Sequence, residues 1–219
     1  MLKDVRIIYK KTGTAKFASH LDTMRLMTRI MRKAQIPVWY TEGFNPHAYF
    51  NFALPLSLGF ESEYELMDFR VIDESMALDE IKERINSAFP IGFEVTDIYF
   101  PTTKFTQITS AEFKVTFFDT DTSFYNQLND FFEKEEIICE KKNKKKQMVQ
   151  FNAKPKIIDY SIKQENQNCI LNLTVPAGCS ENLNPALIIK AFINDYNANS
   201  VNYSVRQTVV LNHENNIFR

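Results

Sequence analysis

Two histidines near the N-terminus are the side chains in this sequence best suited to moving protons or orienting a substrate. His20 follows Ser19 and precedes Asp22 by two residues, and His47 ends the segment Gly43-Phe44-Asn45-Pro46-His47. Imidazole changes its charge near neutral pH, and neighbouring carboxylate and amide groups can orient a bound molecule. If the two histidines meet, with Asp22 and Asn45 beside them, they line one substrate pocket; otherwise His20 is a packing or capping residue. Two histidines alone fix no ligand geometry, so we predict no metal site.

Three arginines form the second candidate site. Arg25, Arg29 and Arg32 recur at intervals of four and three residues, which places them on one face of a helix. Guanidinium groups bind phosphate in a bidentate manner that lysine cannot reproduce. Aromatic side chains that can stack on bases follow in the sequence, at Trp39, Tyr40 and Phe44. The pattern predicts a surface for single-stranded RNA or, in the simpler interpretation, a solvated helix face.

The densest run of charge lies further along the chain. It consists of Lys141, Lys142, Lys144, Lys145 and Lys146. We interpret this run as the tip of a hairpin, which is either simply solvated or steers phosphate groups without selecting a base sequence.

A row of carboxylates has the opposite charge. Glu61, Glu63 and Glu65 are spaced by two residues, so they share one side of a predicted strand. Carboxylates in such a row can hold Mg²⁺. We favour an exposed acidic edge, which discourages pairing with other strands or meets a basic partner.

The composition is that of an ordinary globular protein. Of 219 residues, 44% are hydrophobic and 24% are charged, so disorder is not expected. The chain has five glycines, and no glycine-rich phosphate loop can be recognised. The net charge is −1, but residues 1–50 hold nine Lys and Arg against three Asp and Glu. A basic first quarter can bind anions even in a nearly neutral chain.

The sequence predicts a cytoplasmic protein without a cofactor of its own. The opening MLKDVRII carries charges where a signal peptide needs an apolar run, and no uncharged stretch approaches the roughly 18 residues of a membrane span. Cys139, Cys169 and Cys179 are widely spaced and form no CxxC pair. We therefore expect neither a zinc site nor an iron–sulfur cluster on the thiolates of this chain.

Signals in the first hundred residues predict one ferredoxin-like half. Ser19 is a good N-cap for a helix that carries the arginines and ends at Ala34, before Pro37. Strands are predicted at 5–9, 38–40, 66–72 and 93–100, with a second helix at 79–88. The expected apolar stripe of the first helix comprises Met24, Met27, Met31 and Ala34, widened by Leu26 and Ile30. The resulting order, β-α-β-β-α-β, is the ferredoxin-like one.

The same order recurs in the second half, around the lysine-rich hairpin. Strands are predicted at 113–118, 157–162, 169–175 and 201–211, helices at 123–134 and 184–196, and a hairpin from 137–139 and 148–151. We predict an α+β protein with two ferredoxin-like halves in tandem, residues 1–101 and 111–219, joined by a short linker at 101–110. Each half has an antiparallel sheet with helices packed on one face. A single larger α+β domain is the alternative.

The stretch from Lys16 to Glu65 contains the runs SHLDxxRxxxRxxR, EGFNPH and PLxLGxES. Through these runs it resembles a bacterial family, DUF2344, whose members are described as radical-SAM-linked proteins, either stand-alone chains or tail domains fused to cobalamin-binding radical-SAM proteins. Ala48-Tyr49 departs from the small and basic pair expected after the histidine. The residues that carry the resemblance are Ser19, His20, Leu21, Asp22, Arg25, Arg29, Arg32, Pro37, Glu42, Gly43, Phe44, Asn45, Pro46, His47, Pro55, Leu56, Gly59, Glu61, Ser62 and Glu65.

The resemblance implies that a separate radical-SAM enzyme is the partner. The iron–sulfur cluster, S-adenosylmethionine and cobalamin are then expected on that partner and not on this chain. The leading hypothesis is a non-catalytic accessory subunit that binds the substrate, either RNA or an RNA-associated protein. Binding would use the helix arginines and the 43–47 loop.

Two other functions fit the same residues. One is a metal-independent endoribonuclease, like those built from paired ferredoxin-like domains in CRISPR repeat processing. His20 would then be a general acid or base, with the arginines on the scissile phosphate. The chain lacks the glycine-rich C-terminal loop of those enzymes. The other function is a module that binds a small molecule or serves assembly, with no nucleic acid involved.

Overall fold

A computed structural model describes residues 2–72, 75–143 and 145–219. Lys144 of the predicted lysine hairpin lies outside these residues. The chain divides into two compact units: the first comprises Met1–Phe105 together with Arg219, and the second comprises Thr106–Phe218. Of the helices in the described part, none is both long and apolar enough to cross a membrane.

The first unit has the ferredoxin-like order of elements. Its elements are β1 (Lys3–Lys11), α1 (His20–Lys33), β2 (Phe50–Phe52), β3 (Glu61–Val71), α2 (Leu78–Ala88) and β4 (Phe93–Tyr99). The strand order is β4-β1-β3-β2, and each neighbouring pair is antiparallel. Each helix therefore connects two strands that run in the same direction with a third strand between them, which is the split βαβ arrangement.

The second strand of this unit lies later than the sequence predicts. The prediction of a strand at 38–40 is wrong, because Val38 and Tyr40 form only isolated bridges. β2 instead pairs with β3 through Phe50 and Phe52. Between the two stretches the chain turns away in loop 41–47, where Gly43 has a φ of 130° that favours glycine. Because of this turn, the backbone pairing of residues 38–40 does not continue into a regular β-strand.

The apolar stripe of α1 fixes the helix on the sheet. Met27, Ile30 and Met31 are buried on α1. Each such side chain contributes about 1.5–3 kcal/mol when it leaves water. Met24, predicted on the same stripe, is 36% exposed, because it lies roughly 70° around the helix from the centre of the buried stripe. The strand residues in the same core cluster are Val5, Ile7, Tyr9, Met67, Phe69 and Val71.

A buried ionisable pair lies on this same face of the sheet. Glu65 in β3 is paired opposite Tyr9 in β1 and is 6% exposed, so the prediction of an exposed acidic edge is wrong for this residue. Lys11 is also buried, and its Nζ donates to the carbonyl of Ala18 over 2.6 Å. Burial raises the pKa of Glu65 to about 7, while the Ser62 hydrogen bond and the Lys11 charge oppose the shift. Burial likewise lowers the pKa of Lys11, and Glu65 opposes that change.

The other face of the sheet buries a second ion pair. Arg6 has no exposed surface, and its Nε and Nη2 donate to the two carboxylate oxygens of Asp68 over 2.7 and 2.9 Å. Its Nη1 donates to the Thr103 hydroxyl over 2.8 Å, and the guanidinium lies 4.2 Å from the ring centre of Phe105. Burial raises the pKa of Asp68, while its hydrogen bond to Arg6 opposes the shift. Removing one partner of such a pair costs about 3–5 kcal/mol, because the other charge remains buried.

The second unit repeats this arrangement with an insertion. Its elements are β5 (Ile108–Phe118), α3 (Thr122–Glu133), β6 (Ile138–Lys142), β7 (Met148–Asn152), β8 (Asp159–Glu165), β9 (Asn168–Pro176), α4 (Pro185–Asp195) and β10 (Asn202–Asn212). The strand order β10-β5-β9-β8 is antiparallel throughout. Among the strands of the described residues, β6 and β7 pair with each other alone, as a hairpin between α3 and β8. The predicted class, α+β with antiparallel sheets and packed helices, is confirmed.

Phenylalanine side chains fill the core of the second unit. Phe117 of β5 contacts Phe192 of α4, with ring centres 6.1 Å apart, and Phe131 of α3 lies 5.5 Å from Phe192. Each helix of this unit has a side-chain N-cap. The Asn184 side chain accepts from the amide of Ala186 before α4, and the Asp121 side chain accepts from the amide of Phe124 before α3, which begins one residue earlier than predicted.

We predict that Glu65→Gln changes how the stability of the first unit depends on pH. The pKa of Glu65 is raised from 4.5 to about 7 in the fold, so between these values the folded chain holds a proton that the unfolded chain has lost. The contribution of this group is complete below pH 4.5 and is lost as the pH rises to about 7. The free energy of unfolding of Glu65→Gln, measured with urea across this window, should lack that loss, a difference on the order of 1–3 kcal/mol.

Glu83→Gln is the matched control, because Glu83 is exposed on α2. This variant should keep the pH dependence of the natural chain. If the free energies of unfolding of Glu65→Gln and of the natural chain depend on pH in the same way, the prediction is wrong.

Candidate functional site

The start of α1 is fixed by a reciprocal pair of hydrogen bonds. The amide of Asp22 donates to the Ser19 hydroxyl oxygen over 3.2 Å. In return the Asp22 carboxylate accepts from the Ser19 hydroxyl over 2.6 Å and from the Ser19 amide over 3.2 Å. These bonds to Ser19, with smaller effects of Arg25 and Arg29, lower the pKa of Asp22. Two of the predicted site residues therefore form a capping box, which sets where the arginine helix begins.

The three predicted arginines lie on the exposed face of α1. Arg25, Arg29 and Arg32 all point away from the buried stripe. Arg25 makes a loose pair with Asp22, at 3.8 Å between exposed side chains. Within the described part of the chain Arg29 has no carboxylate within ion-pair distance. Because the exposed guanidinium group of Arg29 keeps its donors available, it can bind an anion without first breaking an ion pair.

The 43–47 segment forms the tip of a closed loop. Tyr40 and Ala48 make an antiparallel bridge at its base. Thr41 closes the loop above this bridge: its amide donates to the carbonyl of His47 over 2.8 Å, and its hydroxyl accepts from the His47 amide over 3.2 Å. Gly43 supplies the left-handed turn, and Phe44 is fully exposed at the tip. The loop thus presents an aromatic ring to solvent on a base that is held by hydrogen bonds.

One contact joins the helix to the loop. Arg32 Nε donates to the hydroxyl of Tyr40 over 3.1 Å, and the guanidinium lies 5.9 Å from the Tyr40 ring centre. Since Tyr40 forms the base of the loop, this contact holds the loop beside the C-terminal half of α1. The structure therefore brings together the arginine face and the 43–47 loop, two of the features that the sequence singled out.

The two histidines contact different residues. The ring of His20 meets Phe52 edge-on, with ring centres 5.1 Å apart and planes at 81°. His47 Nδ1 lies 3.1 Å from the Thr41 hydroxyl and 3.2 Å from the carbonyl of Asn45. Among the residues described, no group of three or more His, Cys, Asp or Glu side chains is arranged to hold a metal ion. A pocket shared by the two histidines stays a prediction.

An exposed apolar patch borders the arginine face, and sequence reasoning missed it. The amide of Gly59 donates to the carbonyl of Lys16 over 2.9 Å, which brings the neighbouring Leu58 and Phe17 to the start of α1. A sequence signal for the patch existed, because Leu21 lies four residues before Arg25 and therefore on the arginine face of the helix. The exposed members are Phe17, Leu21, Met24 and Leu58.

The lysine-rich hairpin forms as predicted, in the second unit. Lys141 and Lys142 end β6, and Lys145 and Lys146 follow in the turn; all four are exposed. Lys141 Nζ lies 4.7 Å from the ring centre of Phe151. Its role in steering phosphate stays a prediction.

A family model described as "uncharacterized protein conserved in bacteria" (DUF2344) matches residues 4–185. The chain belongs to this family. The match includes α1, the 43–47 loop and the lysine hairpin, so every predicted site residue lies in the part shared with the DUF2344 family. Among curated proteins, none matches the chain.

The chain is also similar to solved structures. One is an unknown protein from Galdieria sulphuraria, with 8% identity, coverage of 95% of this chain and 100% of that chain, and a TM-score of 0.28. Another is described as a "putative glycine cleavage system transcriptional repressor", with 11% identity, coverage of 97% and 99%, and a TM-score of 0.26. TM-scores this low support no conclusion about fold or function.

We predict that Ser19→Ala destabilises the first unit by about 1 kcal/mol, because the capping hydroxyl at the start of α1 is lost. Urea unfolding followed by circular dichroism measures this change. Thr28→Ala is the matched control, since its hydroxyl only donates to the carbonyl of Met24 within the same helix. That change should leave stability equal or slightly higher, because alanine is the better helix former. Equal losses for the two variants would show that the capping box does not set the helix start.

Proposed function

We propose that this chain is a cytoplasmic, non-catalytic subunit that holds single-stranded RNA for a separate radical-SAM enzyme. The observation that carries the proposal is the contact between Arg32 and Tyr40, which places a row of exposed arginines beside a loop with a fully exposed phenylalanine. The resemblance of residues 16–65 to radical-SAM-linked proteins supports the enzyme partner.

The arginine row suits a nucleic-acid backbone. Arg25, Arg29 and Arg32 span about 10 Å of one helix face, since each residue advances the helix by about 1.5 Å. A phosphate chain that follows this face meets successive guanidinium groups, each able to donate two parallel hydrogen bonds. Such contacts contribute affinity that falls as salt rises, and they select no base sequence.

The loop supplies the second element that single strands need. Unpaired bases stack on exposed aromatic side chains, and each stacked base contributes about 1–3 kcal/mol. Phe44 offers both ring faces to solvent, because it is fully exposed at the tip of a loop that is tied down at its base. A strand lying along α1 could therefore place a base on Phe44 while its phosphates meet the arginines.

The surroundings of His20 favour a positioning role over proton transfer. Its ring packs edge-on against Phe52, an arrangement typical of an aromatic packing contact. A subunit that only holds RNA needs no general acid or base of its own. The chemistry would then reside on the partner, where the iron–sulfur cluster and S-adenosylmethionine are expected.

We predict that Arg29→Glu weakens binding of a short single-stranded RNA by at least about tenfold and lowers the slope of affinity against salt concentration. Arg29 is the tested residue because it has no carboxylate partner in the described part of the chain, so its reversal breaks no internal ion pair. Fluorescence anisotropy at several salt concentrations measures both quantities. Phe44→Ala should weaken binding without changing the slope, because stacking involves no release of counterions.

Arg84→Glu on α2 is the control for charge. It makes the same reversal on another helix of the first unit, where Arg84 pairs with Glu80 over 2.5 Å. The proposal fails if Arg29→Glu and Arg84→Glu bind RNA equally well, or if the natural chain does not retain RNA at low salt. Shortened RNA that appears with the natural chain but not with His20→Ala would instead identify a ribonuclease.

We also predict that a co-expressed radical-SAM protein from the same organism copurifies with the tagged chain. The Arg29→Glu variant should retain this partner while losing RNA, because the proposal assigns the arginine face to the substrate. Mass spectrometry of the eluate and RNA quantification measure the two outcomes. An eluate of the natural chain without a radical-SAM protein would overturn the partner assignment.

A further inference from the structure

The sheet of the first unit has a second face, on which neither α1 nor α2 packs. Both helices belong to one core cluster with Val5, Val38 and Val71. Side chains alternate between the two faces of extended backbone, so the residues next to these valines point away from the helices. Those residues include Asp4, Trp39 and Arg70, and Tyr49 follows the buried Ala48 in the same manner. Trp39, which the sequence groups with the arginines of α1, therefore lies on the opposite side of the sheet.

Arg70 is held on this face by one carboxylate and two aromatic rings. Its Nε donates to Oδ1 of Asp4 over 2.6 Å, and the two residues are opposite each other in the register of β1 and β3. The guanidinium lies 4.6 Å from the ring centre of Tyr49 and 5.4 Å from that of Trp39. The two ring centres are 5.8 Å apart. A planar group that is already held in place loses little freedom when it binds a ligand.

The outer donors of Arg70 remain available to a ligand. Asp4 engages Nε, and among the described residues no acceptor lies within hydrogen-bond distance of either Nη. The side chain of Arg70 is 33% exposed and that of Asp4 is 47% exposed, so solvent reaches the pair. Two parallel N–H groups of a guanidinium match two neighbouring acceptors on a planar ligand.

Guanine is the base whose edge fits this arrangement. Its O6 and N7 are neighbouring acceptors that one guanidinium can meet with two hydrogen bonds, whereas adenine presents a donor beside N7. Such a base lies in the plane of the guanidinium and therefore comes next to Trp39 and Tyr49, and unpaired bases stack on aromatic rings. A phosphate is disfavoured, because the carboxylate of Asp4 lies against the same guanidinium and leaves the pair without net charge.

We infer that Arg70, Trp39 and Tyr49 form a site for one guanine base. The two Nη of Arg70 donate to O6 and N7 of the base, Asp4 fixes the orientation of the guanidinium, and the two rings supply stacking surface. The inference rests on the proposed function for the source of the base, which is the bound single-stranded RNA. It adds the choice of a base, which phosphate contacts on α1 cannot make.

The test uses the full chain and its own fluorescence. Trp39 is the only tryptophan in the sequence, so quenching of its emission reports on this site. Guanosine monophosphate should bind about fivefold or more tightly than adenosine monophosphate, and inorganic phosphate should displace neither. The 7-deaza analogue of guanosine monophosphate, which lacks N7, should bind as weakly as the adenine nucleotide. Of two short uridine RNAs that differ in one central base, the RNA with guanine should bind more tightly by a similar factor.

Arg70→Lys keeps a positive charge beside Asp4 but removes the fork, so this variant should bind the guanine and adenine nucleotides equally. Arg84→Lys is the control for the substitution itself. Arg84 pairs with Glu80 on α2 and is 38% exposed, close to the exposure of Arg70, yet it lies outside the cluster. The Arg84→Lys variant should keep the preference for guanine.

The inference fails if the natural chain binds both nucleotides equally, if the 7-deaza analogue binds as tightly as guanosine monophosphate, if phosphate displaces the nucleotide, or if both lysine variants lose the preference. Arg29→Glu separates the inference from the proposed function, because it should lower RNA affinity and keep the preference for guanine. A chain that retains RNA without this preference overturns the guanine site alone. A chain that selects guanosine monophosphate but retains no RNA at low salt supports the guanine site and overturns the proposed function.

Discussion

The antiparallel register between β1 and β3 is the constraint on which the first unit depends. It places Arg6 opposite Asp68 on one face and Tyr9 opposite Glu65 on the other. A shift by one residue would exchange the two faces, so that the apolar residues under α1 would be replaced by charged ones. The buried pair of Arg6 and Asp68 adds specificity, because any other register would leave a charged group buried without its partner.

The arginine face follows from how α1 is seated on that sheet. The buried stripe holds one side of the helix against β1 and β3, and this leaves Arg25, Arg29 and Arg32 on the side that faces solvent. The capping box at Ser19 fixes where the helix begins, and Arg32 holds the neighbouring loop through Tyr40. The candidate site thus consists of exposed side chains on a helix and a loop that packing and hydrogen bonds hold in place.

Local patterns were sufficient to predict α1, its cap, the order of elements in both units and the lysine hairpin. They failed where the burial of a residue or the pairing of a strand depends on packing or on segments far away in the sequence. Alternation was expected to place Glu61, Glu63 and Glu65 on one side of the strand, but the register of β1 and β3 shifts between Tyr9 and Lys11, and Ser62 is the residue whose side chain bonds to Glu65. Met67 and Phe69 lie on the same side of β3 as Glu65, so the alternation that buries them also turns Glu65 inward. Residues 38–40 have strand-forming side chains, yet a turn follows them and they make only isolated bridges. The strand that pairs with β3 is β2. A cleft of about 940 Å³ in the second unit has no local signature in the sequence, because its walls come from three connections that are far apart in the chain, those between β5 and α3, β8 and β9, and α4 and β10.

Comparison of the two units shows that equivalent ends of one topology have diverged. In the first unit the connection from β1 to α1 folds into a 3-10 helix at Gly13–Phe17, where the Thr12 amide donates to the Gly92 carbonyl and the Lys16 carbonyl accepts from Gly59. These bonds tie together the three connections that correspond to the walls of the cleft in the second unit. In the first unit this end of the fold is closed by hydrogen bonds between the connections, whereas in the second unit it forms a cleft of about 940 Å³. The same order of elements can therefore carry either a closed end or a recess, because the three connections at that end are free to differ in length and in hydrogen bonding.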